Sequence, residues 1–302
     1  MCTLASIRNF IRLVRSHPLT RENNWTTFVR LLRWQLASRL LAYPVVVPWV
    51  DGCRLVIKRG MVGATGNHYF GLHEFEDMGF LLHFLRQDEL FIDIGANVGS
   101  YTVLAAAVRQ ARVVAVEPIS STFLQLLDNV NVNALGHRVR AFNVGLGASE
   151  GRLHFSDQLD AENHVVLAEH GQSVQAVEVQ VKALDGLLGD ERPVMIKMDV
   201  EGFETEVLRG GEAVFGAAQL QALLIELNGS GSRYGFDENA IRDRLESWGL
   251  HLCSYDPIMR KLQPQARSGV ALQSNSLYVR DVQDAQARLS AAAPFHVLGR
   301  LI

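Results

Sequence analysis

Apolar and polar positions along this chain follow two rhythms, and each switch between them marks the end of an element. From 91 to 102 the residues are Phe-Ile-Asp-Ile-Gly-Ala-Asn-Val-Gly-Ser-Tyr-Thr. The short apolar run predicts a buried strand, Gly95, Asn97 and Gly99 a tight turn, and Tyr101, Thr102, Val103 and Leu104 the start of a helix. The same strand, turn and helix order recurs. Residues 113–116 lead into Glu117 and Pro118, then a helix through Phe123, Leu127 and Val130; residues 139–144 predict a third strand. A fourth, residues 194–198, ends on Asp199, Glu201 and Gly202, and a fifth, residues 220–227, carries Glu226 and is followed by Asn228. Residues 250–255 and 275–279 predict an antiparallel edge hairpin. Strands alternating with helical periods predict an α/β fold around a mostly parallel sheet.

The flanks are less regular. Phe28, Leu31, Leu32, Leu36, Leu40 and Leu41 recur at helical spacing with Arg30, Arg33 and Arg39 between them. They predict a helix packed on the main domain, in preference to a basic helix lying on a membrane. The stretch 34–50 contains Arg39, Pro44 and Pro48, which excludes a lipid-spanning helix. Gly60, Gly63 and Gly66 predict a loop, and Glu74, Glu76 and Asp77 an acid-rich helix start. The polar segment 156–173 predicts a lid or surface loop between two strands. The division expected is an N-terminal extension over 1–60, a main domain over 61–280 and a peripheral helical tail over 281–302.

Composition narrows the class. A net charge of −3 over 302 residues gives no general attraction to nucleic acid. The three cysteines, Cys2, Cys53 and Cys253, are far apart and predict neither a disulfide framework nor a zinc site; with no signal-peptide core, a cytoplasmic location is expected.

The chemistry lies at the strand ends. A glycine turn opening a helix suits a small ligand, and Glu117, closing the next strand, is placed to accept hydrogen bonds from ribose hydroxyls. A dinucleotide fingerprint needs glycine where this chain has Asn97 and Ser100, and no triphosphate-binding Gly-Lys-Ser/Thr follows. A nucleoside without a phosphate chain fits better, and S-adenosylmethionine is the commonest. Asp93, Glu117 and Asp199 are expected to converge on one sheet edge, with Glu201 just beyond. Lys197 shares a strand face with Asp199, which predicts an ion pair. Asn143 is either an adenine contact or a residue bonding its own turn.

From about Gly71 to Val279 the chain resembles the FkbM-type methyltransferases. The motifs that carry the resemblance are 91–102 as quoted, Glu117-Pro118, Asn143-Val-Gly145, Ile196-Lys-Met-Asp-Val-Glu-Gly202 and Leu208-Arg-Gly-Gly211. The resemblance implies a Rossmann-like seven-stranded methyltransferase sheet and S-adenosylmethionine-dependent methylation of an oxygen, often a hydroxyl of a sugar or other natural-product scaffold. The candidate cofactor contacts are then Glu74, Asp93, Gly95, Asn97, Gly99, Tyr101, Thr102, Glu117, Pro118, Asn143 and Asp199, and the candidate bases Asp199 and Glu201. Magnesium on Asp199, Glu226 and Asn228 is a less favoured variant. The alternatives are an NAD- or nucleotide-sugar-dependent oxidoreductase and a nucleoside-binding module without catalysis.

Overall fold

Near-continuous apolar runs form strands that are covered on both faces, and five of them make the parallel part of the central sheet. A computed structural model describes residues 11–22, 24–41, 43–156, 163–166, 176–267 and 275–302. In it β1 (Leu90–Ile94), β2 (Arg112–Val116), β3 (Val139–Phe142), β4 (Met195–Met198), β5 (Ala222–Glu226), β6 (His251–Asp256), β7 (Lys261–Pro264) and β8 (Asn275–Val279) form one sheet. The order is β7-β6-β8-β5-β4-β1-β2-β3. Pairing is parallel from β5 through β4, β1 and β2 to β3, and antiparallel at β8, β6 and β7.

The sheet thus has eight strands, where seven were expected. The extra strand arises because Asp256 Oδ1 accepts from Ile258 N and Met259 N, closing a tight turn that folds β7 back on β6. The expected antiparallel pairing at the edge is present. β6 and β8 do pair, His251 opposite Val279, but the later strand is the inner one, inserted between β5 and β6. Burial accounts for this: β8 is buried at four successive positions, whereas β6 alternates with exposed residues.

Helices cover the sheet on both sides, so two large apolar clusters form, one around Phe80, Phe91 and Leu104 and one around Ile92, Ile196 and Phe215. The residues expected to form a glycine loop are instead a helix, Val62–Phe70. Tertiary packing overrides weak propensity there, since a Cβ on Gly66 would lie 2.9 Å from the His73 ring. In the N-terminal extension the helix Asn24–Leu40 packs Trp34 against Leu55, Ile57 and Phe70, in a cluster that reaches Val98 of the glycine turn. The tail is helical only over Val282–Ser290, and it is not peripheral: the following Phe295 is completely buried in the main core.

The strands expected around the polar segment are Gly151–Ser156 and Ala176–Lys182, which pair antiparallel and join Gly145–Leu146 in a separate sheet. Most of the expected lid, residues 157–162 and 167–175, lies outside the described residues, as does Cys2. Val165 between them is buried and bridges to Phe155.

Candidate active site

Parallel strands all present their carboxyl ends to the same edge, and a cleft opens there. Its walls come from the glycine turn (Gly95, Asn97), the end of β2 (Glu117, Pro118, Ile119), the segment 144–146, and Asp199, Val200, Glu201 and Phe203 after β4. The empty space is about 690 Å³, part of it open to solvent.

Gly95 has φ +70° and is packed so tightly that a Cβ would stand 1.8 Å from the Asp199 carbonyl oxygen. The N–H groups of Gly95 and Ala96 both donate to Val116 O, which pins the turn to β2. Asn97 is left-handed as well, φ 50°, and its Oδ1 accepts from Val98 N. That local bond is the property that lets asparagine adopt this conformation.

Glu117 is almost fully buried. Its Oε2 accepts from Asn97 N at 2.9 Å and its Oε1 from Ile119 N at 3.0 Å, so the carboxylate clasps the turn and retains lone pairs toward the cleft. Burial raises its pKa to about 7 against the pull of those two N–H donors. Asn143 Nδ2 donates to the carbonyls of Glu117 and Pro118 while its Oδ1 accepts from Ser120, so its amide is engaged in holding this turn.

Beneath the turn lies a polar layer. Asp93 is register partner to Lys197 on the neighbouring strand. Thr102 Oγ1 donates to Asp93 Oδ2 at 2.6 Å, while Asp93 Oδ1 is buried with no hydrogen-bond partner. Lys197 Nζ donates to Asp199 Oδ2 at 3.0 Å and Gly95 O at 3.4 Å, and stands 5.4 Å from the centre of the Tyr101 ring. The expected ion pair is therefore present. Burial works against the lysine's charge, but Asp199, Asp93 and Glu74 outweigh it and hold the pKa above the ordinary value. Tyr101 in turn donates to Glu74 Oε2 at 2.7 Å, and Asn275 Nδ2 donates to Glu74 Oε1 and Asp77 Oδ2. Glu74, Tyr101 and Thr102 thus form the supporting layer, and Gly99 begins the helix Ser100–Val103 with φ 84°.

Three carboxylates gather on the other side. One oxygen each of Asp199, Glu201 and Glu226 lies within 4.8 Å of the others, all three half-buried. Glu201 takes a left-handed conformation, φ 54°, which is uncommon for glutamate and is the kind of strain that collects at functional positions. Burial, followed by the charges of Asp199 and Glu201, pushes the Glu226 pKa up to about 9. Such a group has the oxygen ligands a divalent cation takes. Glu201 stands in this group beside the expected Asp199 and Glu226, and Asn228 Oδ1 accepts from Ser230 N.

Val144 and Leu146 of the turn after β3 line the cleft, and sequence reasoning missed the rest of its apolar wall, Ile119, Phe155 and Phe203. Phe155 comes from the separate small sheet, so only tertiary structure brings it to the cleft.

The sequence profile of the FkbM methyltransferase domain matches residues 93–252, just over half of the chain, and spans β1 to the start of β6. The chain belongs to the FkbM methyltransferase family. Among relatives, this FkbM protein is 31% identical over 132 residues to hexuronic acid methyltransferase AglP of Haloferax volcanii, covering 43% of this chain and 53% of that one. It is 29% identical over 147 residues to methyltransferase 1 of Beauveria bassiana, covering 41% and 58%. The match thus spans little more than half the length of either relative. Among solved structures, precorrin-6y C5,15-methyltransferase of Geobacter metallireducens is similar at 12% identity and a TM-score of 0.41, over 78% of this chain and 98% of that one.

Proposed function

We propose that this FkbM methyltransferase uses S-adenosylmethionine to methylate a hydroxyl of a small, sugar-like acceptor. The observation that carries the reading is the cleft itself, which a tight glycine turn and the Glu117 carboxylate line together with Asp199 and Glu201. One feature of the chain fits the cofactor: the orphaned, buried Asp93 Oδ1 beside the turn, suited to an ammonium group. Asp93 and Glu117 would hold it, with Ile119, Val144 and Leu146 offering an apolar surface to a flat base. The relative named for hexuronic acid supports a sugar-like acceptor. When bound, the cofactor supplies an electrophilic methyl group.

The residues of the chain have two tasks. Orientation of the acceptor oxygen supplies most of the rate, since bringing two reactants into line removes a large entropic cost. The hydroxyl proton must also leave, and a carboxylate oxygen of Glu201, which lines the cleft with Asp199, would take it. Lys197 already gives Asp199 a cation, so no metal is needed in this scheme. Glu201→Gln is expected to lower turnover about a hundredfold while leaving cofactor affinity unchanged, near the low end for loss of a general base because Asp199 and Glu226 stand close by. Single-turnover rates alongside calorimetry test this; full turnover in the variant would remove Glu201 from the mechanism.

The first test is calorimetric titration with S-adenosylmethionine and, separately, with NAD. One-to-one binding of the former alone is expected, weakened about ten- to a hundredfold by Glu117→Ala through loss of charge-assisted hydrogen bonds. Ribose hydroxyls donate to the ionised carboxylate, so protonation of Glu117 competes with binding. Affinity should therefore rise as pH increases through about 7, and the rise should vanish in Glu117→Gln. Binding of NAD alone would replace this reading by the oxidoreductase one, and binding of neither would favour the non-catalytic module.

A further inference from the structure

The N-terminal helix Asn24–Leu40 is apolar on two opposite faces, and the fold uses only one. Thr27 and Trp34 are buried against the domain. On the far side Trp25, Leu32, Leu36 and Leu40 recur at the spacing of a single helical stripe, with Leu36 63%, Trp25 74% and Leu40 82% exposed. Exposed Leu41, Tyr43 and Val46 extend the patch beyond the helix end. At 3.6 residues per turn, Arg33 falls on one flank of the stripe and Arg39 on the other, and both are exposed. Residues 1–43 contain seven arginines and one acidic residue, Glu22, within a chain whose net charge is −3.

We propose that this face docks the protein on the surface of a bilayer containing anionic lipid. An apolar stripe bordered by arginines, with aromatic rings at its two ends, matches the boundary between acyl chains and headgroups. Charge favours that occupant over a second copy of the chain. Two such helices face to face would oppose arginine to arginine, and the helix has no acidic residue to pair with them. The helix lies on the surface and does not cross: among the described residues none is long and apolar enough to span a membrane. The extension also packs on Val98 of the glycine turn, so docking would hold the cleft at a fixed place relative to the bilayer.

Flotation of the full chain with vesicles tests the assignment. The protein should rise with phosphatidylcholine vesicles containing phosphatidylglycerol, rise far less with phosphatidylcholine alone, and be released from the mixed vesicles by high salt, because the arginine attraction is screened. Leu32→Glu with Leu36→Glu should weaken binding about tenfold or more. Both positions are exposed, so the thermal melting profile should stay that of the parent. Arg33→Glu with Arg39→Glu should abolish the preference for the anionic vesicles. The proposal is overturned if the parent protein stays in the aqueous fraction with both vesicles, or if the leucine variant floats as well as the parent. It is equally overturned if sedimentation shows a dimer that the leucine variant splits, since a second copy would then cover the face.

Discussion

Gly95→Ala is expected to lose S-adenosylmethionine binding by at least about thirtyfold and methyl transfer with it. The left-handed backbone at this position costs a side-chain-bearing residue about 1–2 kcal/mol. The new methyl carbon would also stand 1.8 Å from Asp199 O. That oxygen cannot move freely, because Asp199 N donates to Ile94 O at 3.0 Å and the Asp199 side chain is held by Lys197. Relief therefore requires the turn and the end of β4 to separate, at about 1–3 kcal/mol for an overpacked site. The two together, about 2–5 kcal/mol, correspond to about thirtyfold or more. Separation occurs where the cleft opens, so the effect should fall on the ligand more than on the fold. Calorimetry and thermal melting check this against Gly136→Ala, where a Cβ would meet nothing within 4 Å. Wild-type affinity in Gly95→Ala would mean that the turn has slack the geometry does not show.

The turn, the acids at the strand ends and the succession of the five parallel strands along the chain are legible in the sequence for a local reason. Each lies where an apolar run stops, and parallel topology sends every such stop to one edge. The pairing of β8 is not legible in this way. Residues 250–255 and 275–279 are both apolar enough to be strands, and their relative depth is decided by how continuously each is buried. The layer under the turn is hidden for a similar reason. Glu74 looks like a helix-start acid until the fold brings Asn275 to it across 201 positions of sequence. In the Asn24–Leu40 helix, leucines of an inner and an outer stripe interleave at helical spacing, so the packed and the exposed faces give one signal. The expectation of packing describes Trp34 and Leu31, whereas Leu36 and Leu40 are exposed.

Lys197 is the residue whose loss should cost the fold most. It is 5% exposed, paired in register with Asp93, and bonded to Asp199. Removing one member of a buried ion pair typically costs about 3–5 kcal/mol, because the partner's charge stays behind without compensation. Here more than one acid is left, since Asp93 and Glu74 also act on the lysine. Lys197→Met keeps most of the aliphatic stem and removes the charge, so the expected loss is about 3 kcal/mol or more, a large part of a domain's usual stability. Urea unfolding should show a lower midpoint with an unchanged slope. The double variant Lys197→Met with Asp199→Asn should recover part of the loss. Recovery should remain incomplete, because Asp93 still faces the gap on the adjoining strand. If the single variant unfolds at the wild-type midpoint, or the second substitution makes matters worse by its full separate cost, the lysine is not the counter-ion of this layer, and the acids at the strand ends are held apart by other means.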